Sequence, residues 1–327
     1  MSDIDTYSRR YLEQWDKRAT LRAKPRYRIS AAQAEGYLYP IATQPLARHP
    51  AVIGRGKEAV HELLVRTALQ WQAALAIIEV DPIADLCGKL ANGVVRYWLP
   101  ESARQVALTI AADEMYHAYV ARESNAHVTQ LTGIEAPLAN ASTTLVQALK
   151  YVRQNAPPDL RGEAETMVLC LAENFVTEEL FGFSMDGNAQ NPFYVIIREH
   201  LMDEGRHQKF FRELLTHLWA GIDDDARSQL GRLLPGFFDT FLADFDHFLE
   251  MRVGLLLFLG FDRNTCCTIV EEAYAAEYGP APAHKGEMKF VQHCLDLVGR
   301  AGMLDNAATR EALIASGWVI PKSMATL

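Results

Sequence analysis

The sequence contains the pentad Asp-Glu-X-X-His twice, at residues 113–117 and again at residues 203–207. Each copy lies in a stretch whose apolar residues recur with the period of an α-helix. A Glu and a His three residues apart lie on nearly the same side of a helix, so each copy directs one carboxylate and one imidazole toward one point. Two such helices that face each other form a pocket for two metal ions. The repeat therefore favours a helical bundle around a buried metal centre.

Four long amphipathic segments predict this bundle, at residues 57–91, 101–131, 160–184 and 192–220. Proline and glycine interrupt the pattern between neighbouring segments, and a longer connection, residues 132–159, joins the second segment to the third. Two helical hairpins joined by one long crossover are typical of the ferritin-like four-helix bundle. The predicted fold class is all-α, with residues 57–220 as the metal-binding bundle.

Both ends of the chain add to this bundle. Residues 1–56 predict a short polar helix at 3–20 and then an extended N-terminal arm, because prolines at 40, 45 and 50 disfavour a continuous helix. Residues 221–327 keep a helical pattern without a motif of their own, and they predict additional C-terminal helices packed on the bundle. We therefore expect residues 1–327 to form a single domain.

The composition argues against several classes of protein. The chain has 327 residues, 49% of them hydrophobic, and can bury a large core. Its net charge of −9 argues against nucleic acid as a partner. The longest apolar run, residues 253–261, is too short to cross a bilayer, and the N-terminus lacks an apolar signal region. Five cysteines without CxxC spacing are typical of reduced thiols, so we expect a cytoplasmic protein with no membrane partner.

The pentads supply half of a known kind of metal site. A carboxylate-bridged di-iron or di-manganese centre takes a Glu-X-X-His pair from each of two helices and one further Glu from each of the other two. Glu114 with His117 and Glu204 with His207 are the two pairs.

The other two carboxylates are predicted from their apolar surroundings. Glu79 is the single acid in an apolar run of the first segment, and Glu173 has the same setting in the third. A buried carboxylate without a partner carries a large desolvation penalty, which a cation relieves. Glu178, also in the third segment, is the alternative to Glu173.

One histidine makes the two pentads unequal. His200 precedes Glu204 by four residues and His207 by seven, so all three lie within about 60° of one another on the helix. Asp113 and Asp203, which precede the pentad glutamates, are predicted to accept hydrogen bonds from the ring N–H of a ligand histidine across the bundle. A ligand set this large and carboxylate-rich favours two iron ions over zinc.

With these motifs in place, the chain resembles the di-iron arylamine N-oxygenases, the family of the aminobenzoate N-oxygenase and of the chloramphenicol-pathway N-oxygenase. The resemblance covers roughly residues 57–220, and the histidine-rich last motif is its specific part. It implies seven metal ligands, in chain order Glu79, Glu114, His117, Glu173, His200, Glu204 and His207.

The resemblance implies a single di-iron oxygenase domain that uses dioxygen to oxidise an amine to a hydroxylamine, nitroso or nitro product in secondary metabolism. It implies two iron ions with a bridging oxo or peroxo group, and by analogy a homodimer. No flavin fingerprint or rubredoxin-like CxxC pair is present, so an external reductase or ferredoxin is expected to supply electrons. The basic stretch at residues 17–28 is a candidate dock for such a donor or for an acidic carrier protein.

The first segment departs from the family pattern. The aminobenzoate enzyme carries an arginine and a tyrosine for the substrate carboxylate in the two turns before its ligand Glu, whereas residues 70–78 contain no cation here. This difference favours a more apolar amine, derived from an amino acid or tethered to a carrier protein. The candidate pocket residues, within about two turns of the ligands, are Leu75, Ile83, Thr177, Leu180 and Phe181.

Two other functions share most of these residues. A di-iron C–H hydroxylase or desaturase would use the same carboxylates but normally lacks a histidine of the His200 type. A non-catalytic, ferritin-like iron-binding protein would need neither a substrate pocket nor about 100 additional helical residues.

Overall fold

The computed structural model describes most of the chain, at residues 3–22, 28–95, 97–135, 143–185, 191–279, 285–287 and 289–319. Within these ranges, the side chains of residues 176–185, 286, 289 and 290 are not described.

The described residues form helices and no β-strand. The α-helices are α1 (Asp3–Arg18), α2 (Ala31–Ala34), α3 (Pro45–Arg48), α4 (Pro50–Ile53), α5 (Lys57–Ile78), α6 (Asp85–Ala91), α7 (Glu101–Thr132), α8 (Thr144–Asn155), α9 (Arg161–Met185), α10 (Pro192–Gly221), α11 (Asp224–Gly231), α12 (Leu234–Phe241), α13 (Phe245–Phe258), α14 (Arg263–Tyr278), α15 (Lys289–Arg300) and α16 (Ala307–Ala315). The 3-10 turns lie at Thr20–Arg22, Ile41–Thr43, Pro158–Leu160, Lys285–Glu287 and Met303–Asp305. The all-α prediction is confirmed.

Helices α5, α7, α9 and α10 correspond to the four predicted segments. Helix α5 packs along α7, and α9 packs along α10, which gives the two expected hairpins. Local sequence signals set their ends. Helix α7 ends where Gly133 adopts a left-handed conformation, and α10 begins with Pro192 in its first turn and the Asn191 side chain accepting a hydrogen bond from the Phe193 N–H.

The first segment is not the continuous helix that its periodicity predicts. Helix α5 ends at Ile78, and the helical geometry is broken within residues 79–84, where Asp81 is extended (φ −136°, ψ 104°). Pro82 explains the break, because proline has no N–H to donate and its ring displaces the preceding turn. Glu79 retains helical dihedrals and is therefore placed at the last regular position before the break.

The N-terminal arm is more helical than predicted. It contains three one-turn helices, α2 to α4, and prolines stand at the start of two of them. Proline is well suited to the first turn of a helix, where its missing N–H has no intrahelical role, so Pro45 and Pro50 begin short helices instead of preventing them. Helix α1 forms as predicted and packs against both α7 and α10.

The crossover contains a helix that the sequence analysis missed. Helix α8 lies within residues 132–159, and its buried residues Leu145, Ala148, Leu149 and Val152 follow helical spacing. It packs against α9 and against α12 from the C-terminal part of the chain.

The C-terminal helices extend two clusters of buried apolar residues. The first cluster includes side chains from α1, from three bundle helices and from α11, α12, α15 and α16. A second cluster joins the arm to α5, α10, α13 and α14. The residues between and beyond the hairpins therefore enclose the bundle.

Within the described residues, one apolar segment, Lys57–Ala91, is long enough to cross a membrane by length and composition alone. Asp224–Phe258 with α14 would form a second only as a pair bent by 119°. The most apolar window of the first segment is 56% buried within the protein. That burial is typical of a core helix.

Candidate metal centre

The seven predicted metal ligands lie together in the interior of the bundle. Glu79 comes from the end of α5, Glu114 and His117 from α7, and Glu173 from α9. Helix α10 contributes His200, Glu204 and His207, which share one face of the helix as their spacing predicts. All seven side chains are at most 7% exposed. Buried ionisable groups lose their hydration, so a cluster of this size is stable only when its members pair with one another or with a cation.

These side chains form two ligand groups that share one carboxylate. The first ligand group comprises Glu79, His117, His200 and Glu204, and the second comprises Glu114, Glu173, Glu204 and His207. Within each group, one ligand atom per residue lies within 4.8 Å of every other. This is the geometry of two adjacent cation sites with Glu204 between them.

Glu114 also extends from one group to the other. Its Oε2 lies 3.0 Å from His117 Nδ1, and its Oε1 lies 2.8 Å from His207 Nδ1. Glu204 Oε1 lies 3.1 Å from His200 Nε2 and 3.4 Å from His207 Nδ1. The glutamates of the two pentads are therefore the two carboxylates that can bridge a pair of ions.

The donor atoms fit a metal pair. Glu79 Oε2, Glu114 Oε1, Glu204 Oε1, His200 Nε2 and His207 Nδ1 are buried and make no hydrogen bond of acceptable geometry within the described part of the chain. Several lie within ion-pair distance of one another, so the potential donor atoms converge on a common volume. Mixed carboxylate and imidazole donors of this number suit two iron or manganese ions.

The carboxylates differ in their preference for a proton. Burial and the nearby charge of Glu114 raise the pKa of Glu79 well above its ordinary value, and burial with the charge of Glu204 does the same for Glu173. Burial also opposes the charged form of Glu114, but the positive charge of His207 and the hydrogen bond with His117 outweigh it and lower the pKa of Glu114. Burial and the charge of Glu114 oppose the charged form of Glu204, but the nearby His207 and His200 rings outweigh them and lower its pKa. A bound cation would displace the protons of Glu79 and Glu173.

The histidines also differ. Burial disfavours the charged ring of His117, but hydrogen bonds with Asp203 and Glu114 outweigh burial and raise its pKa to about 10. Burial also disfavours the charged ring of His207, but electrostatic interactions with Tyr11, Glu114 and Glu204 and the hydrogen bond with Asp113 outweigh burial and raise its pKa well above the ordinary value. Burial and the charge of His117 lower the pKa of His200, which keeps its ring neutral and its lone pair available.

The aspartates of the pentads hold the outer nitrogens of the histidines in a crossed arrangement. Asp203 of α10 lies 3.1 Å from Nε2 of His117 on α7, and Asp113 of α7 lies 3.2 Å from Nε2 of His207 on α10. A ring that donates from Nε2 presents its Nδ1 lone pair to the ligand group. Each pentad therefore orients the histidine of the other.

The family model of the p-aminobenzoate N-oxygenase AurF matches residues 3–253 of the chain. This range covers well over half of the chain, including every helix that carries a predicted ligand. The chain belongs to this family. It is an oxygenase of the di-iron N-oxygenase class, which uses dioxygen to oxidise an amine. A search among curated proteins finds no significant match.

The match extends beyond the part of the chain that the motifs cover. It takes in α1 and the arm on one side, and α11, α12 and part of α13 on the other. The N-terminal residues are thus part of the N-oxygenase pattern, although the motifs alone placed the resemblance in residues 57–220.

The predicted pocket residues can be located in part. Leu75 is buried one turn before Glu79 and belongs to none of the described apolar clusters, whereas Ile83 lies within the main core. Thr177, Leu180 and Phe181, and the alternative ligand Glu178, lie among the α9 side chains that are not described.

A small cavity lies two helical turns from the first ligand group. Gln72, Ser124 and Phe193 line it, and they are each seven residues from Glu79, His117 and His200 respectively, which is about 10 Å along a helix. The other lining residues are Ile29, Leu38, Ala68, Leu69, Asn125, Val128 and Ile196. A set of three small buried residues occupies the intervening helix positions: Ala76, Ala118 and Ala121.

Sequence reasoning missed Gln72 and two residues near the N-terminus. The Gln72 side chain is 4% exposed, and its Nε2 has no hydrogen-bond partner in the described part of the chain. Trp15 and Thr20 contact Asp113 and Asp203, although 98 and 183 residues separate the members of each pair. A polar residue inside an apolar helix run was the available signal for Gln72. No local pattern indicates the other two.

Proposed function

We propose that this N-oxygenase holds one iron ion in each ligand group, with Glu204 and Glu114 shared between the two ions. The observation that carries this proposal is the convergence of seven buried ligand atoms into two groups with a common carboxylate. A bound di-iron pair would supply the electrons that activate dioxygen toward the amine nitrogen. The protein supplies ligand geometry and excludes water.

The first oxidation balances with two electrons from outside the chain. The amine R–NH2, dioxygen, two electrons and two protons give R–NHOH and water. One oxygen atom enters the new N–O bond, and the second leaves as water. Further rounds of the same stoichiometry lead to nitroso and nitro products.

Metal analysis tests the ligand set. We expect about two iron ions per wild-type chain after anaerobic loading with ferrous ion. Glu204→Ala removes the shared carboxylate, so iron content should fall below one per chain. Glu213→Ala, on the exposed side of the same helix, is the matched control and should retain both ions. Full iron content in Glu204→Ala would refute the proposed ligand set.

Product analysis tests the nitrogen chemistry. Reduced protein would be mixed with ¹⁸O₂ and an amine that also carries an oxidisable C–H bond. We expect the label in an N–O bond of the product, identified by mass spectrometry. A product labelled at carbon, with the nitrogen unchanged, would contradict N-oxygenation by this chain.

We infer that the substrate is an amine whose far end is uncharged, derived from an amino acid or tethered to a carrier protein. The surroundings of the first ligand group support this inference, because the small cavity (about 10 Å³, room for about one water) has no charged side chain in its lining. Its buried amide, Gln72, can bind a neutral polar group. The buried residues between this cavity and the first ligand group, Ala76, Ala118 and Ala121, are all small. Leu75, Ile83, Thr177, Leu180 and Phe181 remain predicted pocket residues.

A matched pair of arylamines tests this preference. The methyl ester of 4-aminobenzoate should be turned over at least about 10-fold faster than the free acid, because the carboxylate would be buried without a cation. Gln72→Arg should reduce that ratio, and Gln72→Leu should leave it high while slowing both. Faster turnover of the free acid by wild type would exclude an uncharged far end.

We propose that an external reductase or ferredoxin supplies the electrons and that basic residues near the N-terminus contribute to its dock. Lys17 and Arg18 are exposed at the end of α1. Arg22 pairs with Asp16 and Arg28 with Glu123, while Lys24 and Arg26 lie outside the described residues. Among the described residues, Lys17 and Arg18 are therefore the first candidates for contact with the electron donor.

We also propose a homodimeric, cytoplasmic enzyme of secondary metabolism whose 327 residues act as one domain. Leu108, Met115 and Tyr119 on α7 support the dimer, because each is more than half exposed and all three lie within a narrow stripe of one helix. The core cluster that spans α1 to α16 supports the single domain. Light scattering of wild type and of Met115→Glu tests the dimer: the variant should become monomeric.

A further inference from the structure

The two pentad aspartates are held from outside the bundle by one short N-terminal segment. Trp15 Nε1 donates to both oxygens of Asp113, at 3.0 Å and 2.9 Å. The Thr20 backbone N–H lies 3.3 Å from both oxygens of Asp203, and its hydroxyl donates to Oδ2 of the same carboxylate. Both aspartates are fully buried.

The packing of this segment allows it to reach both aspartates. Helix α1 lies against α7 and α10 together, and the 3-10 turn that follows contacts the same two helices. Between the two contact residues, Ala19 is fully buried and donates its N–H to the Trp15 carbonyl. Arg22 lies over the Trp15 ring at 5.4 Å and pairs with Asp16 at 2.7 Å, which covers the outer side of the indole.

A third side chain contacts the same carboxylates from within the bundle. Arg206, in the second pentad, pairs with Asp203 and lies 3.8 Å from Asp113. Asp113 thus contacts the His207 ring and the Trp15 indole. Asp203 contacts the His117 ring, Thr20 and Arg206. A carboxylate with several fixed donors cannot rotate, so it fixes both the plane of its histidine ring and the nitrogen that carries the proton.

We propose that Trp15 and Thr20 are positioning residues of the metal centre, each for a different ligand group. Trp15 acts through Asp113 on His207 and so on the second ligand group. Thr20 acts through Asp203 on His117 and so on the first ligand group. This inference rests on the proposed ligand set, and it makes the N-terminal segment an integral part of the metal centre.

The two chains of contacts give the proposal a group-specific consequence. Loss of the indole N–H removes the hydrogen bonds from α1 to Asp113 but leaves Asp203 held by Thr20 and Arg206. Loss of the Thr20 hydroxyl weakens the hold on Asp203 but leaves the two Trp15 hydrogen bonds in place. A purely structural role for α1 would disturb both ligand groups together.

Three variants with one matched control test the proposal. Trp15→Phe keeps an aromatic ring but removes the donor, Thr20→Val keeps the shape but removes the hydroxyl, and Thr20→Ser restores it. Trp98→Phe is the control, because the Trp98 side chain is 64% exposed, whereas both aspartates are fully buried. Ferrous ion binding to the metal-free proteins would be measured by competition with a chromophoric chelator, and the loaded proteins by Mössbauer spectroscopy.

We expect Trp15→Phe and Thr20→Val each to weaken one of the two iron ions by about 10-fold, the lower end of the range for groups that orient metal ligands. The affected Mössbauer doublet should differ between the two variants. Thr20→Ser and Trp98→Phe should match wild type. These readouts do not depend on turnover.

Each contrary result has a definite meaning. If wild type binds two iron ions and both variants bind them as tightly, the positioning role is wrong while the proposed ligand set stands. If both variants weaken both ions equally and lower the melting temperature of the metal-free protein, α1 has only a structural role. If wild type binds no iron, the ligand set itself fails. Should Trp15→Phe fail to fold, the Thr20→Val and Thr20→Ser pair still decides the question.

Discussion

The two ligand groups start from the same pentad and end with different donors. The second group contains one imidazole and three carboxylates, whereas the first contains two imidazoles and two carboxylates. The additional imidazole is His200, whose ring centroid lies 4.0 Å from that of His117. At the matching position before Glu114, the other pentad helix carries the buried apolar residue Ile110. Repetition thus produces two ion sites, and one unrepeated residue makes them chemically unequal.

An extra neutral nitrogen donor in place of an anionic oxygen changes the charge of a site. The first group should hold its ion with less negative charge than the second, and the two ions should differ in redox potential. The pKa of His200 agrees with this role, because burial and the charge of His117 keep its ring neutral. Substitutions of the ligands, of the aspartates and of a distant residue should affect the two ion sites to different extents.

The largest effect should follow removal of His200, the imidazole that has no counterpart on the other pentad helix. His200→Ala should remove about one iron ion per chain and leave the ion of the second group, because His200 belongs to the first group alone. His207→Ala should give the opposite loss. Iron analysis with Mössbauer spectroscopy checks both, and loss of the same ion in the two variants would contradict the division into groups.

A smaller effect should follow at the aspartates. Asp203→Asn and Asp113→Asn keep the shape but remove the charge that orients His117 and His207, so each should weaken its own ion by about 10- to 100-fold. Chelator competition measures the affinities. Equal weakening of both ions in each variant would argue against the crossed arrangement.

The affinity for metal should also change with pH. The pKa of His117 is raised to about 10, and the pKa values of Glu79, Glu173 and His207 are raised well above their ordinary values, so these groups keep their protons to higher pH than free side chains do. Metal binding must displace the protons that they hold, so apparent affinity rises with pH. Between pH 6 and pH 8 we expect affinity to increase steadily. Calorimetry in buffers of different ionisation enthalpy counts the protons, and uptake of protons would have the wrong sign.

The smallest effect on the metal centre should come from a distant packing change. A Cβ at Gly231 would lie 1.8 Å from Thr309 Oγ1, so Gly231→Ala should force α11 and α16 apart and cost about 1–3 kcal/mol of stability. Thermal unfolding should show this loss while both iron affinities stay unchanged. An altered affinity would mean that the two ligand groups respond to global stability.

The predictable part of the fold came from patterns within one helix. The positions of α7, α9 and α10 follow from apolar periodicity and from clear end signals, and the family match supports the di-iron bundle that the pentads predicted. The broken helix at residues 79–84 was missed because an apolar run hid the effect of Pro82. Helix α8 was missed because a long, proline-containing connection masked its short amphipathic pattern.

The residues of the candidate site also differ in whether a pattern within one helix could predict them. The sequence spacing predicted that His200, Glu204 and His207 lie together, since one helix fixes their relative positions. Trp15 and Thr20 could not be found so, because their contacts depend on how α1 docks across two other helices. Gln72 falls between these cases: its sequence setting was visible, but the cavity beside it is a product of three packed helices.

The contact between Thr20 and Asp203 also has a consequence for the order of biosynthesis. The two residues are 183 positions apart, so at ordinary rates of translation about 10 to 40 s pass between them. During that time Thr20 cannot form its hydrogen bonds with Asp203. Until α10 leaves the ribosome, the apolar face of α1, which includes Ile4 and Tyr11, lacks part of its native packing surface. The residues made first are thus among the last to be fixed in place.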